Sequence, residues 1–189
     1  MKRGHQLSGF TIVELLIVIV VIGILAAITI VAYNGIQDRA RNAQRVSDVN
    51  TIQKALEQYK ALNGTYPPTS ASSAATIQSV CSSVATGYGY SFVPDGTWLK
   101  PLIDQGIVSR VPVSPINDCT NFYRYLHPSA TSYGCTTRTS GYYILQVFGI
   151  NGAEAPDNAV KGTFKPCPET TTGGWATNNN AWTFEKDDD

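Results

Sequence analysis

A carboxylate close to the start of a long apolar run constrains this chain more than any other feature. From Phe10 to Tyr33 the polar side chains are Thr11, Glu14, Thr29 and the hydroxyl of Tyr33; the rest is aliphatic or aromatic, Gly or Ala. As a helix rising ~1.5 Å per residue, the stretch is roughly 36 Å long, enough to cross a bilayer. An ionised acid at the centre of a membrane helix costs ~2.5–3.5 kcal/mol on insertion scales, somewhat less near its end, and such acids usually pair or serve a function. The pattern therefore describes a segment built to meet a partner inside the membrane, with Glu14 as the contact. A Glu that merely snorkels to the headgroups needs no particular flank. Here nine residues precede the run, carrying Lys2, Arg3 and His5 and ending in Ser8-Gly9.

A secretory signal peptide has a shorter apolar core followed by a small-residue cleavage site, and no good site of that kind follows Ala27. A simple uncleaved anchor requires neither Gly9 at the boundary nor Glu14 beyond it. The basic leader, then Gly9, Phe10, Thr11 and Glu14, then Gly23-Ile24-Leu25-Ala26-Ala27, resemble the processing signal and stem helix of the type IV pilin and pseudopilin superfamily. The resemblance implies that prepilin peptidase cuts between Gly9 and Phe10 and N-methylates the new Phe10 amine. It further implies that Phe10, Thr11 and Glu14 take part in subunit assembly, Glu14 attracting the Phe10 amine of a neighbouring subunit. The electrostatics agree, because opposite charges ~4 Å apart at reduced dielectric attract by several kcal/mol, which offsets the cost of burying both. One departure stands out: many relatives carry a proline after the Ala-Ala-Ile-x-Ile stretch, and this chain has Val31. Val31 neither removes a helix hydrogen bond nor kinks the stem as proline would, so local melting of the stem is not implied here; Gly23 and Asn34-Gly35 are its weakest points.

Composition bounds the remainder. With 189 residues and 43% hydrophobic content, one domain with a real core plus a membrane segment is what the chain can build. Bases and acids balance at 14 each, and loss of the leader takes Lys2 and Arg3 with it, so nothing in the total favours nucleic acid. Arg39, Arg41 and Arg45 follow the span while Lys2, Arg3 and His5 precede it, so charge alone leaves the orientation open. Cysteine usage decides it. Cys81, Cys119, Cys135 and Cys167 all lie beyond the span, in a region rich in Ser, Thr, Gly and Asn, which fits disulfides in an oxidising exterior. The head is then outside and the leader inside. Four cysteines allow three pairings; Cys119 with Cys135 across a hairpin, leaving Cys81 for Cys167, is the favoured one. Zinc is disfavoured, since no CxxC pair exists and His127 is the one histidine beyond the leader.

Ile36 to Leu62 reads as a continuation of the stem, rich in helix formers and free of proline. At 100° per residue Val49, Ile52, Leu56 and Tyr59 share one stripe, and Ile36, Ala40 and Ala43 face the other way. The later stripe is expected to pack on a sheet; the earlier half, with Asp38, Arg39, Arg41 and Arg45, is expected to project for neighbouring subunits. Asn63-Gly64 and Pro67-Pro68 end the helix. Ile77, Val80 and Val84 suggest a short helix within Thr69–Thr86. Thr97 is a candidate cap for another through Gln105, with Trp98, Leu102 and Ile103 inward and Gly106 closing it. Phe122–Leu126 and Gly141–Phe148 read as strands, the second apolar on both faces and so central. Val160–Lys165 and Trp182–Glu185 are weaker strand candidates, and Asp187, Asp188 and Asp189 form a solvated tail. The order of Leu99–Ile107, Val111-Pro112-Val113-Ser114-Pro115, Tyr123-x-Tyr125 and Gly141-Tyr142-Tyr143 is similar to the heads of pseudopilins and related small pilins. In some of these a loop after the last strong strand binds calcium; Asn151, Glu154, Asp157 and Asn158 sit there, but the Asp-rich spacing is missing and an ordinary polar turn explains them.

No catalytic constellation emerges: His127 directly precedes Pro128 in a turn, and no phosphate-cradling loop is present. Tyr88, Tyr90, Tyr133, Trp175 and Trp182 are candidate exposed aromatics, though most tyrosines in a small sheet simply pack. The expected architecture is α+β and pilin-like: a leader (1–9), a membrane or filament-core helix (10–33), its amphipathic continuation (34–62) and an extracytoplasmic head with an antiparallel sheet (63–189). The expected function is that of a structural subunit, not an enzyme, with no cofactor, polymerising from the cytoplasmic membrane into a type IV pilus for adhesion, motility or DNA uptake. A pseudopilin of a type II secretion or competence system is the alternative, and a monomeric membrane-anchored binding protein the rival of a different class. Expected partners are other copies in a helical filament, prepilin peptidase, a membrane assembly platform, minor pilins and, before assembly, lipid; after assembly the subunit is extracellular.

Overall fold

The computed structural model describes residues 10–94, 97–150, 153–160 and 181–188. The chain divides into two compact units, Met1–Ala40 and Arg41–Asp189. Helix α1, Ile12–Asn63, runs unbroken for 52 residues through both, as expected of a stem with no proline. In the first unit every large apolar side chain from Phe10 to Ile30 is exposed. The helix stops where Gly64 takes a φ of 79° and donates its amide to the Lys60 carbonyl, the left-handed closure that glycine adopts without penalty.

In the second unit, α1 packs on one face of a four-stranded antiparallel sheet of order β1-β2-β3-β4. Its strands are β1 (Gly89–Tyr90), β2 (Tyr123–Leu126), β3 (Tyr142–Phe148) and β4 (Ala181–Asp187). Val49, Ile52, Ala55 and Leu56 of the stem meet Tyr123 and Tyr125, then Tyr143, Leu145 and Val147, then Trp182 and Phe184, the alternate residues of three strands, in one core. The period of 3.6 on the helix thus meets the period of 2 on the strands. The other face of the sheet is buried too: Tyr142, Ile144, Gln146 and Thr183 are all 2% exposed or less. That explains why β3 is apolar on both faces. A second cluster forms around Ile77, Tyr90, Phe92 and Phe122, the three aromatic rings in mutual contact.

Helix α2 (Ala74–Val80) is capped by the Ser73 hydroxyl, which accepts from the Thr76 amide at 3.1 Å, and buries Ile77 alone; Val80 is exposed. Helix α3 (Lys100–Asp104) starts later than expected. Thr97 does not cap it, because Leu99 at φ 44° breaks the helical path between them, and the Thr97 hydroxyl bonds to Ser72 instead. Trp98 and Leu102 face inward, Ile103 outward, and Gly106 closes the helix at φ 68°. Strand β1 was not foreseen, and its Tyr90 is buried rather than displayed; Trp182 is buried as well, whereas Tyr133 is exposed. The Val160 amide donates to the Thr183 carbonyl at 2.7 Å; the remainder of the Val160–Lys165 strand candidate, and Trp175, lie outside the described residues.

Three further expectations fail. Arg45 does not project for a neighbour: it is 2% exposed, donating to Asn42 Oδ1 at 2.7 Å and Asn121 Oδ1 at 3.3 Å. Asp187 and Asp188 form no free tail, and Asp189 lies outside the described residues. Asp187 ends β4, and Asp188 accepts from the Tyr66 amide, meets His127 Nε2 at 2.9 Å and donates its own amide to the Gly141 carbonyl. The favoured cysteine pairing is wrong: Cys81 is bonded to Cys119, with Cα atoms 5.5 Å apart. Folding brings the C-cap of α2 against the loop before β2. Cys135 is also in a disulfide; Cys167 lies outside the described residues.

Candidate functional site

Three constellations carry the polar chemistry, one at the start of α1 and two in the second unit. At the start of α1, Thr11 and Glu14 form a capping box: the Thr11 amide and hydroxyl both donate to Glu14 Oε2, at 2.8 and 2.7 Å, and the Glu14 amide donates to Thr11 Oγ1 at 3.3 Å. A Thr followed three residues later by Glu satisfies otherwise orphaned amides of the first turn reciprocally, so these two residues fix where the helix begins. The same carboxylate stands among bare aliphatic side chains, with Phe10 81% exposed beside it. None of the most apolar part of this helix is buried within the subunit, and it is long and apolar enough to cross a membrane. Each large aliphatic left bare forgoes up to about 1.5–3 kcal/mol of burial, and no described residue of the chain covers this surface. Thr11 and Glu14 thus close the start of the helix, with Phe10 directly before them. Gly9 lies outside the described residues.

In the second unit a polar layer lies between stem and sheet. Asp48, 7% exposed, accepts from the Tyr123 hydroxyl at 2.7 Å through one oxygen and from Gln44 at 2.7 Å through the other. Burial and the Asp48 carboxylate push the Tyr123 phenol well above its ordinary range, so it serves as a fixed donor. One turn earlier, Arg45 reaches Asn121 across the same interface. Asn121 is held in turn by Asp118, whose Oδ1 accepts from the Thr120 and Asn121 amides, the Thr120 hydroxyl and Asn121 Nδ2, all within 3.0 Å. These bonds, the Asn121 side chain foremost, hold Asp118 down to a pKa of about 2. Gly149, at φ 82°, lies directly against Asn121: a Cβ there would fall 2.0 Å from Asn121 Oδ1.

At the opposite end of β3, Asp188, His127 and Tyr66 close the head. Gly141 has no room for a side chain, since a Cβ would sit 2.3 Å from Asp188 Oδ2. The Tyr66 hydroxyl donates to Glu57 at 2.7 Å, and Lys186 pairs with the same carboxylate at 3.0 Å. Burial works against the charge on Glu57, but the Tyr66 hydroxyl, Lys186 and Lys60 together hold its pKa below the usual value. His127 is thus a structural partner of Asp188. Of the calcium candidates, Asn158 donates to Gln53 on the stem at 3.0 Å and Glu154 is exposed, while Asn151 lies outside the described residues. No group of three His, Cys, Asp or Glu among the described residues is placed to hold a metal ion. Sequence reading missed Asn121, Asp118 and Tyr66; the one available signal was the Asp-x-x-Asn spacing beside a cysteine, a common loop pattern.

Comparison with known proteins places these features in context. The type II secretion system core protein G of Pseudomonas aeruginosa is 30% identical over 159 residues, 82% of this chain and 90% of that protein. The protein of that name in Vibrio cholerae is 27% identical over 128 residues, 68% of this chain and 76% of its own length. In Escherichia coli strain K12 the figures are 28% over 119 residues, 61% and 70%. The match to the Pectobacterium carotovorum protein is shorter, 68 residues at 35% identity, and covers 44% of that relative. No family model matches the chain, and no solved structure matches it.

Proposed function

This chain belongs to the type IV pilin-like superfamily, in the family of the type II secretion system core protein G, and from that membership we propose that it is a pseudopilin, a subunit that polymerises from the cytoplasmic membrane to drive type II secretion. The observation that carries this reading is the breadth of the Pseudomonas aeruginosa match: it spans 90% of that relative, so head as well as stem is shared. The relatives favour secretion over the surface pilus first expected from the sequence. A structural subunit fits them.

Within this reading, prepilin peptidase removes residues 1–9 and methylates the Phe10 amine. The stem waits in the bilayer with its head outside. Glu14, held by Thr11 in the single subunit, then receives the Phe10 amine of the next subunit, and each bare stem leaves lipid for a filament core of other stems. Such head-to-tail contacts generate an open helical assembly rather than a closed oligomer.

Deleting the gene in its native host tests the choice of machine. Secretion requires that type II substrates accumulate in the periplasm and that the wild-type gene restore their release. Intact secretion with loss of surface filaments would return the protein to the pilus class. If both persist while the protein binds a ligand as a monomer, the polymer reading falls.

A further inference from the structure

The Cys81–Cys119 disulfide lies in the head, far in sequence from the stem, yet only a few bonds separate it from the stem's buried arginine. Cys119 sits inside the loop 117–121. Asp118 on one side of it organises Thr120 and Asn121 on the other through four hydrogen bonds, and the Asp118 amide closes the loop onto the Asn121 carbonyl at 3.0 Å. Asn117, at φ 52°, exchanges hydrogen bonds with Ser91, whose hydroxyl also accepts from the Tyr123 amide. The one side chain this loop extends to the stem in the described bonds is Asn121, to Arg45. A loop of five residues with Asn117 in the left-handed region and no strand of its own is held by these hydrogen bonds and by one covalent bracket, the bond to the C-cap of α2.

We infer that the Cys81–Cys119 disulfide is a redox-sensitive clamp on the stem: by fixing the 117–121 loop it presents Asn121 to Arg45, and its reduction loosens the grip of the head on the Asn42–Arg45 turn of α1. The inference does not depend on which filament the subunit enters. Reduction takes two electrons and two protons from a small dithiol, which becomes a cyclic disulfide while Cys81 and Cys119 become thiols; the sulfur–sulfur bond breaks and no backbone bond changes. An unbridged loop then samples conformations in which Asn121 no longer reaches the guanidinium. A head folded in a reducing compartment would thus hold its stem less firmly than one matured outside.

The test is a set of coupled variants of the full-length chain in detergent micelles, unfolded by denaturant. The coupling between Arg45 and Asn121 comes from Arg45→Met, Asn121→Ala and the pair, first with the disulfide intact and then in Cys81→Ser/Cys119→Ser, which leaves Cys135 untouched. Coupling of about fivefold in the folding equilibrium, a size usual for contacting residues, is expected with the disulfide and none without it. Equal coupling in both backgrounds overturns the inference. Should a variant fail to fold, amide exchange decides between the wild-type chain with and without dithiol and, where it folds, Cys81→Ser/Cys119→Ser. The Thr120 and Asn121 amides are expected to exchange at least about tenfold faster once the bridge is gone, about 1.4 kcal/mol of local opening. Unchanged exchange at these amides contradicts the clamp.

Discussion

Between Phe10 and Ile30 no large apolar side chain of α1 is buried, whereas from Val49 onward the same helix hides Val49, Ile52, Ala55 and Leu56 beneath the sheet. The two stretches are alike in backbone and differ in what completes them. The later stretch finds its partners within its own chain: Tyr123 and Tyr125, Tyr143, Leu145 and Val147, and a polar layer in which Asp48 and Arg45 are both bonded. The earlier one has a satisfied first turn and, among the described residues, nothing over its sides. Under the proposed function this stretch lies in lipid before assembly, and the same bareness would let it trade lipid for equally apolar neighbours. The comparison teaches that a single helix can be completed by its own chain at one end and left bare at the other, and the bare end is where the proposed assembly would act.

The largest test of this contrast is Glu14→Ala. Losing several kcal/mol of attraction to the neighbouring amine should reduce filament assembly about 100-fold or more while leaving the head folded and the stem inserted; quantifying sedimentable filament against membrane-held subunit checks it. Next, Leu56→Ala should cost the head about 2–5 kcal/mol by opening a cavity, whereas Ile19→Ala should change unfolding of the isolated subunit by no more than about 0.5 kcal/mol. Denaturation in detergent measures both, and similar values for the two would break the contrast. Tyr123→Phe removes the hydroxyl donor to Asp48 and should cost about 1–3 kcal/mol by leaving a buried carboxylate oxygen unmet, read from the same unfolding curves.

The smallest effect concerns pH. Asp118 is held at about 2 in the folded head, below the ordinary aspartate value of ~3.9. Its contribution is therefore fully present above that ordinary value and is lost as pH falls from ~4 to ~2. Glu57, also lowered, acts in the same direction, while Glu185, raised by burial against the pull of Arg138, acts in the opposite one. Asp118→Asn should flatten the acid limb of a stability–pH profile. An unchanged slope between pH 4 and 2 would remove Asp118 from the account of how the loop is held.

The legible and illegible parts of the molecule divide along physical lines. The stem, its packing stripe and β2 and β3 were readable because each is a periodic apolar pattern longer than one turn or one pleat. Strand β1 was not, since two residues carry no period and Gly89–Tyr90 becomes a strand only by pairing with Arg124 and Tyr125. The polar clasps were hidden for a different reason. Arg45 looks like any solvated stem charge until Asn121, 76 residues away, closes over it, and Asp188 looks like tail until Tyr66, His127 and Gly141 converge on it. Spacing likewise could not choose among cysteine pairings, because the loop carrying Cys119 is brought to α2 by tertiary packing. At the amino end, the Thr11–Glu14 box was visible as residue types, but its reciprocal bonds are a property of the folded turn.

The most direct measurement is of the mature amino terminus, because the account requires a new amine at Phe10 to face Glu14 of the next subunit. Protein recovered from membranes or filaments should begin at Phe10 and carry a single added methyl group, seen by amino-terminal sequencing and intact mass. An intact Met1, or a start beyond Ala27, would contradict the account, since no amine would then stand four residues from Glu14.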